Sequence, residues 1–245
     1  MRAHWIVRST GAVATAGLLA LGSYVMTAWA RYGHVHPERR HRDELLDRFL
    51  PRPDVDEYHH ILVHAPAPLT YRVAKDMDLM SSVLVRSVFW LRAVPTLLRG
   101  QPFRPNGPRG LVAETLGLGW GVLAEDPDRQ IVIGAYTQPW HQEVTFHSLP
   151  PEEFAGFAEP GQVKIVWTLR VESLGPTECR FVTRTRAVAT DKRARRLFRR
   201  YWAPMSTGII LIRYLAMPMV KHQAERRTMD HASGPADQLH QDPGP

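Results

Sequence analysis

The chain's twelve histidines come first, because imidazole both ligates metals and moves protons near neutral pH. In the run YHHILVHA (58–65), strand alternation puts His60 and His64 on one face, about 13 Å apart, and turns His59 to the other. One metal ion, with bonds of about 2 Å, cannot take both. His141, Glu143 and His147 also share a strand face, yet the two histidines stand about 20 Å apart there, which leaves two ligands at most. His34, His36 and His41 lie in a charged, solvated stretch. No metal site is expected. No hydrolase elbow, P-loop or HExxH sequence occurs, and GLGLGWG lacks the flanking strand and helix of a dinucleotide fingerprint, so no cofactor is expected either. The single cysteine, Cys179, excludes an intrachain disulfide and a thiolate zinc cluster.

General acid/base chemistry is the remaining option, with Glu114, Tyr136 and His60 as the candidate catalytic groups. Each qualifies only if it lines a cavity, where burial draws a carboxylate's pKa towards neutral; the alternative for each is an ordinary sheet or surface residue. Trp120, Trp140 and Trp167 read either as core or as ligand-stacking groups. The basic residues concentrate at 191–227, ten against two acidic, within a chain of net charge +7. A helix starting at an Asp191 N-cap gathers Ala194, Leu197, Phe198, Tyr201, Trp202 and Met205 on one face and arginines on the other. Arg193, Arg196 and Arg200 are expected either to meet anionic membrane lipids or to be simply solvated. Nucleic acid is not expected as a partner, because the aromatics follow the buried stripe and are not free to stack on bases.

These residues need elements to hold them. With 245 residues, 44% hydrophobic and 22% charged, the chain has the composition of one globular domain with accessories, not of a disordered or polytopic membrane protein. Residues 9–30 carry no charge and as a helix would extend about 33 Å, matching a bilayer core of about 30 Å. They are expected to be a transmembrane anchor, with a signal segment cleaved after Ala30, or a buried soluble helix, as alternatives. Two arginines precede the run and five follow closely, which favours a cytoplasmic domain; cleavage would instead mean export. Residues 31–56 read as a juxtamembrane spacer with a short helix near 41–49, residues 57–227 as the folded domain, and residues 228–245 as a disordered tail.

Within the domain a strand at 58–65 precedes two short helices, at 67–80 and 81–94, and a proline-rich loop. Six β-rich runs follow, LVAETLGL, WGVLAE, QIVIGAYTQ, HQEVTFHS, QVKIVWTLRVES and ECRFVTRTRAVAT, joined by tight turns and therefore antiparallel. Pro204, Gly208 and Pro218 are expected to break or kink GIILIRYLAMPMV, which is too short for a second span.

This order, with the wording of HHILVHAPAPLTYRVAKDMDLM and of VKIVWTLRVESLGPTECRFVTRTRAVATDKRARRLFRRYW, resembles the SRPBCC (START and Bet v 1-like) superfamily, in particular its bacterial polyketide cyclase/dehydrase-like members. The resemblance covers residues 57–227 and implies an α+β helix-grip fold: a curved antiparallel sheet wrapped round the long C-terminal helix, with a cavity for apolar ligands. Alternation puts Val163, Ile165, Trp167, Leu169 and Val171 on one face of their strand. If Phe181 faces inward, so do Thr183 and Thr185, whose hydroxyls then need partners. Trp120, Trp167, Phe181, Thr183, Thr185 and Tyr201 are the expected ligand-binding residues. The expected function is membrane-tethered binding of a lipid, isoprenoid or polyketide-like molecule, with a cyclase or dehydratase as the alternative.

Overall fold

The computed structural model describes residues 3–34, 42–78, 110–141 and 143–233, with residues 3–14 and 231–233 described by backbone alone. The helices are α1 (Ala3–Arg31), α2 (Glu44–Phe49), α3 (Ala67–Asp76), α4 (Leu111–Gly117), α5 (Pro151–Phe154) and α6 (Lys192–Ser233). The strands are β1 (Val55–Val63), β2 (Gly121–Asp126), β3 (Gln130–Thr137), β4 (Phe146–His147), β5 (Val163–Gly175) and β6 (Glu178–Ala189). All strands pair antiparallel in the order β1-β6-β5-β3-β2, with β4 added to β3. The result is an α+β fold in which a long C-terminal helix lies against a six-stranded antiparallel sheet, as a helix grip requires.

Alternation sorts the strands into two faces. On the inner face Phe181, Leu169, Val171, Ile131 and Ile133 pack under Tyr71, Val73 and Ala74 of α3 and Met217, Val220 and Ala224 of α6. Nearer the start of α6, Phe198 and Trp202 close over Val55, Val163 and Ala187. Asp191 caps α6 as expected, accepting from the backbone N–H of Arg193 at 2.6 Å and Ala194 at 2.8 Å. Those bonds, with one from the Gly161 N–H, hold its carboxyl below the usual range.

Four expectations about elements need correction. LVAETLGL forms α4, not a strand, so the sheet has six strands where seven runs were counted; Val112 is its one fully buried residue. HQEVTFHS contributes only the two residues of β4. Pro204 and Pro218 do not end α6, which continues through both to Ser233 and into the expected disordered tail. Packing clamps the helix on each side of them, at Phe198 and Trp202 and again at Val220 and Ala224, which outweighs the lost backbone bonds. By length and composition α6 is apolar enough to cross a membrane, yet its inner side is the core of this domain. The expected helix 81–94 and the loop after it lie outside the described residues.

The fourth correction concerns 31–56, which is no spacer from residue 42 onward. Asp43 caps α2 by accepting from Leu46 N–H at 3.1 Å, and α2 buries Leu46, Phe49 and Leu50 against Val132, Val166 and Phe154 on the outer face. Beside it, Asp56 takes both Arg184 Nε at 2.6 Å and Nη2 at 2.5 Å, while Arg186 donates to Asp47 at 2.6 Å and to the Leu50 carbonyl at 3.0 Å. Arg184 and Arg186, on the face opposite Phe181, are thus buried with Asp56 of β1 and, for Arg186, Asp47 of α2 as partners.

α1 ends on the domain as well. Tyr24 donates to Ser206 at 3.3 Å, Arg199 donates to the Trp29 carbonyl at 2.7 Å and covers the Trp29 ring, and Tyr32 meets Phe198 edge-on at 5.9 Å. Residue numbers rise along α1 as they fall along α6, so the two helices run antiparallel. Gly33 turns the chain at φ +77, donating to the Asp54 carbonyl at 2.9 Å, and a Cβ there would strike the Arg195 guanidinium.

Candidate functional site

The inner face is not apolar throughout. Register sets Glu57 beside Thr185 and Thr185 beside Trp167; one step on, His59 stands beside Thr183 and Thr183 beside Leu169. Directly opposed side chains in such a ladder have Cβ atoms about 5 Å apart. Two rows across β1, β6 and β5 therefore begin polar at the β1 edge and become apolar towards β3, where Ile133 and Ile131 continue them. Thr183 and Thr185 face inward with Phe181, all three buried, as alternation predicts.

α6 closes over the polar end. Arg213 donates to the Thr185 hydroxyl and, at 3.4 Å, to the Glu57 carbonyl oxygen. Tyr214 meets the His59 ring edge-on at 5.6 Å. His59 Nε2 lies 3.9 Å from a Glu57 carboxylate oxygen. Desolvation dominates the electrostatics: it raises Glu57 above the usual carboxylate range, lowers Arg213 to about 10, and, with the charges of Arg213 and His60, lowers His59 to about 4. Beside this cluster a cavity of about 340 Å³ separates α1 from β1 and α6, lined by Tyr24, Thr27, Arg31, Glu57, Trp202 and Ser206 among others. A second, wholly separate hollow of about 550 Å³ lies round Tyr136, His141 and Glu159 and is mostly polar.

The expected ligand-binding residues divide. Trp167 and Phe181 lie on the inner face with the two threonines, and half-buried Trp120 packs at the margin of the same core, 4.9 Å from Phe146. Tyr201 stacks on Phe198 at 6.3 Å, near the start of α6, away from Arg213. The catalytic candidates do not converge. His60 is exposed on the outer face, 5.5 Å from Tyr58, and Tyr136, also on the outer face, lies between His147 and Phe157 three strands away. Glu114 belongs to α4, beside α3 on the inner side. Arg193, Arg196 and Arg200 are exposed, whereas Arg195 pairs with Asp54 at 2.8 Å. No group of three or more metal-ligating side chains occurs among the described residues.

Glu57, His59, Arg213 and Tyr214 escape sequence reading. The available signal was the arginine inside GIILIRYLAMPMV, a charge that an apolar helix face retains only for a partner.

No protein-family model matches the chain, and no curated protein matches it significantly. Among solved structures, a norcoclaurine synthase point mutant from Thalictrum flavum, in complex with a transition-state analogue, is similar over 73% of this chain and 96% of its own, with 13% identity and a TM-score of 0.35. A hypothetical protein from Helicobacter pylori is similar over 73% and 93%, with 7% identity and a TM-score of 0.36. An aromatase/cyclase from a Streptomyces species is similar over 71% and 95%, with 15% identity and a TM-score of 0.26.

Proposed function

We propose that this chain binds an apolar small molecule, a lipid, isoprenoid or polyketide-like compound, between the inner face of its sheet and α6, and that α1 tethers it to a membrane. The carrying observation is that Trp120 and Trp167, with Ile61, Leu69, Leu111 and Leu215, stay only partly buried around the inner core, Trp167 directly beside inward-facing Thr185. Large aromatic surface left unfilled beside a few polar groups is what a small-molecule site offers. Tethering is supported by the uncharged run 9–30 and by Leu18, Leu19 and Met26, each about two-thirds exposed on α1. The arginines that follow the run favour a cytoplasmic domain. Native mass spectrometry of the detergent-purified protein, with extraction of what co-purifies, tests the reading: a recurrent bound apolar molecule is expected, and repeated recovery of empty protein refutes it.

The approach of His59 to Glu57 favours one second reading, a proton-transferring cyclase or dehydratase built on these two groups in place of Glu114, Tyr136 and His60. Incubation with a poly-β-ketone before extraction separates the two, since a binding protein returns it unaltered.

A further inference from the structure

α6 carries a single arginine in its apolar stretch and turns it inward. Arg213 spends its donors on one hydroxyl and one backbone carbonyl, although a guanidinium has five N–H groups. It forms no ion pair among the described residues; Glu57, the acid that most affects it, lies against His59 and lines the α1 cavity. A cation partly buried and desolvated on such terms is costly unless an anion joins it. Two further groups sit within a row of it on the same face: the Thr183 hydroxyl, and His59 Nε2, which is buried without a hydrogen-bond partner. Away from the β1 edge the face becomes Trp167 and Leu169.

We infer that the ligand is an amphipathic oxyanion, a carboxylate or a phosphate monoester, with its head group on Arg213 and Thr185 and its apolar body along the partly buried Trp167. This rests on the ligand-binding reading above and specifies the chemical class. The planar guanidinium fork matches two oxygens of either group, and a ligand without acceptors would leave its donors unmet. Glu57 opposes a second negative charge, but burial makes it protonate more readily than a surface carboxylate, which limits the repulsion.

The test is a tryptophan-fluorescence titration of the full-length protein in amphipols with hexadecanoate, hexadecanoyl lysophosphatidate and methyl hexadecanoate. At least one acid is expected to bind about tenfold more tightly than the ester, equivalent to about 1.4 kcal/mol, and the acid with the larger ratio identifies the head group. Arg213→Met is expected to erase the ratio while leaving ester affinity in place, and Arg213→Lys to keep part of it. Should Arg213→Met fail to fold, the acid-to-ester ratio of the unaltered protein decides alone. Equal affinity for all three overturns the head-group inference and leaves the binding reading standing. Binding of none of the three, together with empty protein on extraction, overturns both.

Discussion

A proton arriving at His59 would enter a buried site that already faces the charge of Arg213, which is why its pKa lies near 4 instead of 6.5. Between those values the unfolded chain binds a proton that the folded chain refuses, so stability falls as the pH drops from about 6.5 to about 4 and levels off below. The contribution is on the order of 1 to 3 kcal/mol for a partly buried imidazole. Glu57 acts in the opposite sense, since a raised carboxyl stabilises the fold at low pH and loses that effect as pH rises through its folded value. It is present in both proteins compared, so denaturant titrations of the native chain and His59→Asn across this window report the proton refused by His59 together with its contact to Glu57. The variant is expected to lose less stability on acidification, and parallel curves would refute the assignment. At this scale alternation made the inward turn of Thr183 and Thr185 legible and separated His59 from His60. It was silent on Arg213, because which turn of α6 covers which rung of the sheet depends on packing between residues 28 positions apart.

Among the elements, α2 is the one whose role changes most. Its short amphipathic pattern and its stop before Pro51 were readable in the sequence, but its destination was not, because nothing local says that Arg186 meets Asp47 of α2 as well as Asp56, its partner across the ladder from β1. Those arginines are essentially buried, with side-chain exposures of 2% and 0%, and Asp56 is equally enclosed at 4%. Asp56→Asn would take the bidentate carboxylate from Arg184 and leave Arg186 with Asp47 alone as its acidic partner, and is expected to cost about 3 to 5 kcal/mol. Leu46→Ala, opening a cavity beneath the same helix, is expected to cost about 2 to 5 kcal/mol. Thermal or denaturant unfolding checks both, and a loss below about 0.5 kcal/mol in each would mean that residues 42–56 are dispensable after all. The long hairpin of β5 and β6 was readable because β5 is apolar at every second residue from Val163 to Val171 and a tight turn joins it to a second β-rich run. α4 was misread because LVAETLGL mixes β-branched and small residues over too few positions for either period to dominate.

Over the whole molecule, the antiparallel docking of α1 on α6 brings the end of the uncharged run beside the start of the basic helix. Arg193, Arg196 and Arg200 are exposed there, close to where a tether would meet a bilayer surface. Replacing the three with glutamine is expected to remove any preference of the full chain for phosphatidylserine vesicles over neutral ones, with little change in thermal stability. Flotation assays should also show that preference fading between about 0.1 M and 1 M salt, as the screening length shrinks from about 10 Å to about 3 Å. A preference unaffected by salt or by the substitutions would make the arginines an ordinary solvated face. The position of β1 adds a consequence of another kind. It is an edge strand, bonded on one side to β6, and the end of α1 stands beside its first half across a gap of about 340 Å³. Unpaired strand edges are templates on which further copies add. α1, packed on α6, flanks that half, so removing α1 would widen access to it. Protein shortened through residue 31 is expected to associate more strongly with rising concentration in sedimentation experiments than the full chain, and equal behaviour of the two would mean that α1 does not shield the edge.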